Sequence, residues 1–238
     1  MVHIDGVTMN LNDWRRILVF GAHIDDEIIG PGGTIARLSK AGAEVTVVTF
    51  TGGTKDTGYS RVELKDKIAQ LRREEAAAAD RVLGVSERIF LGRPSQGVVN
   101  DTATYQECVR LIRHYKPDVI FTHWGEDKHR DHRAVSEVTD EARWKAWDHV
   151  LADLGEPYYT PELYFYEINE LFPHPTILVD ISDTITIKLE AMKCATSQLD
   201  VLPGVVSFIR GVGAARGFLR GTEYAEAFLR SNLLATPL

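Results

Sequence analysis

The chain has 238 residues, with 27 Lys and Arg against 34 Asp and Glu, a formal net charge of −7 at pH 7, and 44% hydrophobic and 26% charged residues. This composition excludes a disordered or fibrous chain, and the acidic balance argues against nucleic acid or an anionic membrane as the main partner. The length suits one generous α/β domain that buries about 70% of its unfolded surface without disulfide staples.

Two cysteines, Cys108 and Cys194, lie far apart, so neither a disulfide framework nor a metal knuckle is expected. No stretch approaches the roughly 20 apolar residues of a membrane span. The start has a short apolar run that meets three acids instead of a signal peptide's longer apolar region and small-residue cleavage site. These features point to a cytoplasmic protein in a reducing compartment, with export as the alternative.

In chain order, 17–22 (ILVFGA) reads as a buried strand feeding a loop. A helical segment follows, with Ile28, Ile35 and Leu38 on one side and Gly42 closing it. EVTVVTF (44–50) is a second strand, TGGTKDTGYS (51–60) a Gly/Thr-rich loop, 62–83 a long polar helix ending before Gly84, and 88–92 a third strand. Val109, Ile112 and Tyr115 place a helix over 102–116, which Pro117 stops before a fourth strand at 118–123. A helix at about 132–150, strands at 162–168 and 176–182, and helices near 184–197 and 205–219 complete the chain. Alternating strands and helices imply parallel strands joined by right-handed crossovers. The expected fold is therefore a Rossmann-like three-layer α/β sandwich with a mostly parallel sheet. It forms a single domain over 1–238, Rossmann-like at about 15–150, with a less regular part at about 151–238 supplying substrate walls.

Two polar clusters fall just beyond the carboxyl ends of strands, where open α/β sheets bind ligands. They are His23-Ile24-Asp25-Asp26-Glu27 and Asp127-Lys128-His129-Arg130-Asp131-His132. Three acids where a dinucleotide turn needs amides would repel phosphate, and no G-x-S-x-G elbow occurs. A divalent metal suits the donors better. His23 and Asp26 with a distal His132 make a two-His, one-Asp set that leaves a position open for water, as in catalytic zinc sites, and Asp25 beside them is placed to take a proton. The plainer reading of Asp25, Asp26 and Glu27 is a helix start that favours the macrodipole. Asp131 reads either as a surface ion-pair partner or as a group orienting an imidazole. His123 ends the fourth strand and is placed to line the crevice; His3, His114, His149 and His174 have no matching ligand at a telling spacing.

These residues resemble the PIG-L/LmbE-like zinc-dependent N-acetyl-sugar deacetylases. The family's (P/A)HPDDE block stands here as AHIDDE (22–27) and its HPDH block as HRDH (129–132). Arg72 and Glu75 match an Arg-x-x-Glu helix, KLEAMKCATSQ (188–198) the K-x-x-A…SQ helix, and EYAEAF (223–228) the terminal segment. Ile24 and Arg130 replace the prolines of the two blocks. The resemblance implies one Zn²⁺ held by His23, Asp26 and His132, with Asp25 as general base. It also implies His129 as oxyanion stabiliser or acid to the leaving amine, positioned by Asp131. The implied reaction removes acetyl from a GlcNAc-type sugar or glycoside; an amidase for a larger acyl group, or a non-catalytic binding protein on the same fold, are the alternatives. Iron, cobalt or manganese are alternative metals. Expected substrate contacts are Arg72, Thr51, Lys55 (with Asp56 beside it) and Trp124, although Arg72 and Glu75 read equally as an i,i+3 pair on a solvated helix and Trp124 as core packing. A homo-oligomer is compatible with the family.

Overall fold

A computed structural model describes residues 2–4, 7–9, 11–52 and 65–234. An antiparallel pair of β1 (Val2–Ile4) and β2 (Val7–Met9) precedes the main sheet. The sheet holds β3 (Arg16–Gly21), β4 (Glu44–Thr49), β5 (Glu87–Phe90), β6 (Val119–His123), β7 (Glu162–Tyr166), β8 (Ile177–Asp180) and β9 (Ala225–Arg230). Their order is β5-β4-β3-β6-β7-β9-β8. The first five are parallel neighbours, while β9 runs antiparallel between β7 and β8.

The helices are α1 (Asp26–Ile29), α2 (Gly32–Lys40), α3 (Lys65–Leu83), α4 (Thr102–Tyr115), α5 (Arg130–Trp147), α6 (Ile185–Cys194), α7 (Thr196–Leu199) and α8 (Val205–Arg220). Strand alternation divides the core between the two faces of the sheet. Ile17 and Val19 of β3 pack with Ile35, Leu38, Leu83 and Met192, whereas Leu18 and Phe20 pack with Val109, Ile112 and Val135. Such two-sided burial explains why β3, β4 and β6 are buried along nearly their whole length, with Val, Ile, Leu and Phe interrupted mainly by Thr. The result is the three-layer, mostly parallel α/β sandwich in one domain that the alternation of elements predicted.

Three differences from the sequence reading have physical causes. The helical segment expected to run unbroken to Gly42 is two helices, because Pro31 removes a backbone donor after Gly30. The helix expected at about 132 begins at Arg130, capped by His129, so the HRDH block straddles a helix start. The EYAEAF segment contains β9, whose pairing with both β7 and β8 joins the last third of the chain to the same sheet.

Candidate metal centre and active site

In this sheet β4 lies on one side of β3 and β6 on the other. The crevice beyond the carboxyl ends of β3 and β6 is thus the topological switch point, where doubly wound sheets bind ligands. The loop after β3 leads through His23 and Asp25 into α1, whose first residue is Asp26; the loop after β6 leads through Asp127 to His129 at the N-cap of α5. Both polar clusters meet there.

Nδ1 of His23 lies 3.4 Å from Oδ2 of Asp26, Nε2 of His132 lies 3.4 Å from Oδ1 of Asp26, and the two nitrogens are 3.3 Å apart. A tetrahedral shell with bonds of about 2.0–2.1 Å has edges of roughly 3.3–3.4 Å. The outer partners set which nitrogen is free. Nε2 of His23 is 3.0 Å from Oδ2 of Asp131, and Nδ1 of His132 is 3.3 Å from Oδ1 of Asp127. Each outer carboxylate accepts from the outer nitrogen, which therefore keeps its proton, so the inner nitrogen beside Asp26 is the one that can give up its proton and offer a lone pair to a cation. Two inner imidazole nitrogens and a carboxylate converging in a buried site fit a divalent cation.

Among the described residues two overlapping groups have donor atoms within 4.8 Å of one another: His23, His129 and His132, and Asp26, His123 and His132. The geometry separates the roles of the extra histidines. Nδ1 of His129 accepts from the backbone amide of Asp131 at 3.1 Å, so its Nε2 bears the proton of the neutral ring and is a donor. Nε2 of His123 lies 2.9 Å from Oδ2 of Asp26 and 3.0 Å from the Ala22 amide, behind the carboxylate. Burial and the charge of His132 push His123 down to about 4.

The charges of the cluster perturb one another strongly. Burial opposes protonation of His23, but Asp26 and Asp131 outweigh it and raise the group to about 10; Asp26 and Asp127 likewise raise His132 to about 9 against burial. Burial would lift Asp26, yet His132, His123 and His23 hold it well below the usual carboxylate range. Asp25 behaves oppositely: burial and the Asp26 charge push it up to about 6, with His23 and Arg72 pulling the other way. Adjacent acids separated in this way suit different tasks, one as permanent anion and one as proton acceptor.

A cavity of about 460 Å³ opens onto the cluster. Its lining combines the polar side chains of Arg72, Ser95, Gln96 and Gln198 with the apolar ones of Ile29, Ile168, Val201 and Leu202, together with Asp25 and His129. Nε of Arg72 is buried and has no hydrogen-bond partner among the described residues. Gln96 holds a left-handed backbone (φ 65°) that directs its amide to Asp131 at 2.8 Å, a conformation retained at the edge of the site.

Several expected roles change. The carboxylate of Asp131 orients His23 and also binds the amides of Gln96 and Val98, while only its backbone touches His129. Thr51 is buried and donates to the Ala22 carbonyl at 2.6 Å, steadying the loop of His23 instead of facing substrate. Trp124 packs edge-on against Phe172 and does not line the cavity. Lys55 and Asp56 lie outside the described residues. Arg72 does line the cavity, but Glu75 turns inward, accepting from Thr196 and Ser197 and thereby fixing the segment that carries Gln198.

Asp127, Asn169 and Gln198 take places at the site that the sequence did not assign to them. Asp127 accepts from the His129 amide and from the amide and side chain of Asn169, and these bonds with that of His132 hold its carboxyl well below the usual range despite burial. Its position two residues before His129 was the available signal. The two proline replacements are accommodated locally. Arg130 occupies the first helical position, where proline is favoured but not required, and Ile24 is buried close to Gly52.

The fold and this cluster define a doubly wound α/β protein with a candidate metal centre at its switch point. The family profile described as PIG-L, GlcNAc-PI de-N-acetylase, matches residues 18–143, and the chain belongs to this family. It is 30% identical over 190 residues to a 1D-myo-inositol 2-acetamido-2-deoxy-alpha-D-glucopyranoside deacetylase of Kribbella flavida; the match covers 66% of this chain and 63% of that protein, less than two thirds of the relative's length. The N,N'-diacetylchitobiose deacetylase of Pyrococcus horikoshii superposes with a TM-score of 0.80 at 26% identity, covering 93% of this chain and 85% of that one. A 4-carboxy-2-hydroxymuconate hydratase of Pseudomonas putida reaches the same TM-score at 22% identity over 94% of this chain and 99% of its own, a likeness of fold alone. Fold by itself therefore does not choose the reaction.

Proposed function

We propose that the protein is a zinc-dependent deacetylase that hydrolyses the N-acetyl group of a GlcNAc-type amino sugar or glycoside. The observation that carries this reading is the convergence of His23 Nδ1 and His132 Nε2, 3.3 Å apart and each 3.4 Å from one of the two Asp26 oxygens, beside a buried acid and a histidine donor in one cavity. Membership of a family described by de-N-acetylation supports the choice of reaction.

His23, Asp26 and His132 would hold the metal, which when bound supplies Lewis acidity and makes water a better nucleophile near neutral pH. Asp25, raised to about 6, is suited to accept the proton of the attacking water at pH 7. His129 offers its Nε2–H to the oxygen that gains charge as the amide carbonyl becomes tetrahedral, and the same proton can pass to the departing amine. Its ring is held for this by the Asp131 amide. Arg72, Ser95, Gln96 and Gln198 supply donors and acceptors for sugar hydroxyls. The test is a screen of N-acetylated glycosides for acetate and free amine release, with metal quantified in the same preparation. A fully metal-loaded protein that hydrolyses none of them overturns the proposal.

A further inference from the structure

A second cavity of about 390 Å³ adjoins the catalytic one and shares Ile29, Ile168, Asn169, Val201 and Leu202 with it. Beyond those shared residues its wall is Pro203, Gly204, Val205 and Phe208, with Lys128 at one edge. Lys128 pairs with Glu170 at 3.4 Å, so its charge already has a partner. Val201, Leu202 and Phe208 are 36%, 39% and 42% exposed, a run of large apolar side chains facing solvent beside a polar site. Exposed apolar surface grouped in this way marks a binding surface more often than a solvated one.

Depth decides what enters it. Asp26 and His132 are 3% and 2% exposed, so the carbonyl carbon must reach the floor of the catalytic cavity, and an acetyl methyl lies at that depth. The annex is nearer solvent, since Val201, Leu202 and Phe208 line it and are 36%, 39% and 42% exposed, and it continues from the turn in which the Gln198 carbonyl accepts from the Val201 and Leu202 amides. In a 2-acetamido glycoside the anomeric carbon is bonded to the carbon that bears the acetamide, so with the amide at the floor the group on the anomeric oxygen is held beside it and extends toward the mouth. We infer that this annex is an aglycone subsite and that the substrate is an amino-sugar glycoside with an apolar, alkyl or aryl, aglycone. The inference rests on the deacetylase reading and departs from the inositol substrate in the name of the Kribbella relative, because a polyol gains nothing from this wall.

The test compares kcat/KM of the zinc-loaded protein on methyl, butyl and hexyl glycosides of N-acetylglucosamine. A fully buried methylene is worth about 4-fold, and a half-buried one about 2-fold, so methyl to hexyl is expected to give a rise of about 10- to 30-fold. Phe208→Ser, at an exposed position, is expected to cut the hexyl-to-methyl ratio to about 3-fold or less. A flat series, or a gain that appears instead when the N-acyl chain is lengthened on the methyl glycoside, overturns the assignment. Calorimetric binding of hexyl and methyl glucosaminides, which need no turnover, separates the two levels. If no acetamido glycoside is hydrolysed the deacetylase reading fails, whereas equal affinity of the two amines overturns the annex whatever the turnover.

Discussion

Nδ1 of His23 and Nε2 of His132 face each other at 3.3 Å although 109 residues separate them in the chain. With only the protein's own charges present, Asp26 and the outer carboxylates raise these imidazoles to about 10 and about 9 against burial, so the cluster favours protonated histidine at pH 7. A metal needs both inner lone pairs and must displace those protons. Adding Zn²⁺ to metal-free protein at pH 7 is therefore expected to release at least one proton per ion, with affinity rising as pH climbs toward 9–10. Calorimetry in buffers of different ionisation heat measures this; uptake with no proton release would show that these histidines are not the metal ligands. The sign for stability is opposite. Both groups lie above the free value of 6.5, so what they add to the metal-free fold is present below about pH 6.5 and is lost as pH rises through 9–10.

Asp25→Asn keeps the shape of the side chain and removes its ability to take a proton. Zinc content should be unchanged and kcat should fall by about 10²- to 10⁴-fold. In the parent protein the base works only when ionised, so kcat/KM should decline as pH drops through about 6 or below, since a bound cation shifts the midpoint downward. Near-parent turnover by a metal-loaded Asp25→Asn would remove this residue from the mechanism.

His129→Ala removes a donor whose proton-bearing Nε2 is defined by the bond that Nδ1 accepts from Asp131. A loss of about 10²- to 10³-fold in kcat is expected, the scale of a single oxyanion donor, at unchanged zinc affinity. Weakened zinc binding in this variant would instead place His129 among the ligands, as in the other histidine group that the cluster contains.

Asp127→Asn and Asp131→Asn each replace the carboxylate behind one ligand histidine, and either should weaken zinc binding by about 10- to 100-fold. The two are not equivalent. Asp131 is fully buried and also accepts from the Gln96 and Val98 amides, so its variant should additionally loosen the 95–98 segment and lower thermal stability more. Competition with a chelator and a melting curve on both variants distinguish the effects, and equal zinc affinity in parent and variants would count against the carboxylate–histidine arrangement.

The sheet was legible in the sequence because both its faces are covered, which writes β3, β4 and β6 as short runs rich in β-branched and aromatic residues between helical periods. β9 was obscured because Ala225, Glu226 and Ala227 carry little β signal, and Glu226 is buried for a reason no local pattern shows: it caps α2 through the Gly33 and Thr34 amides and pairs with Lys188. The histidines and acids of the site could be read from their places after strands. What each touches could not, since Asp131 reaches back 108 residues to His23 instead of to its neighbour His129, and Glu75 reaches 122 residues forward to Ser197. Such contacts follow from strand order, which the linear pattern leaves open.

Glycine substitutions on the two sides of this architecture should have opposite signs. Gly30 ends α1, directly after the turn that carries Asp26, and a Cβ there would lie 2.4 Å from Cδ2 of Tyr166. Tyr166 is 1% exposed and donates its hydroxyl to the Phe20 carbonyl at 2.7 Å, so the ring has nowhere to retreat. Gly30→Ala must therefore shift α1, disturbing the 2.7 Å bond from Lys188 Nζ to the Gly30 carbonyl, at a cost of about 1–3 kcal/mol. Because Asp26 rides on that helix, zinc affinity should fall along with stability. Gly211 lies inside α8, and a Cβ added there would meet nothing within 4 Å, so Gly211→Ala should stabilise by about 0.5–1 kcal/mol through the helix backbone alone and leave zinc affinity untouched. At about 2–4 °C per kcal/mol for a chain of this size, the two melting shifts are measurable and point in opposite directions. A Gly30→Ala protein that melts with the parent and binds zinc equally well would mean that α1 is not held against the Tyr166 ring.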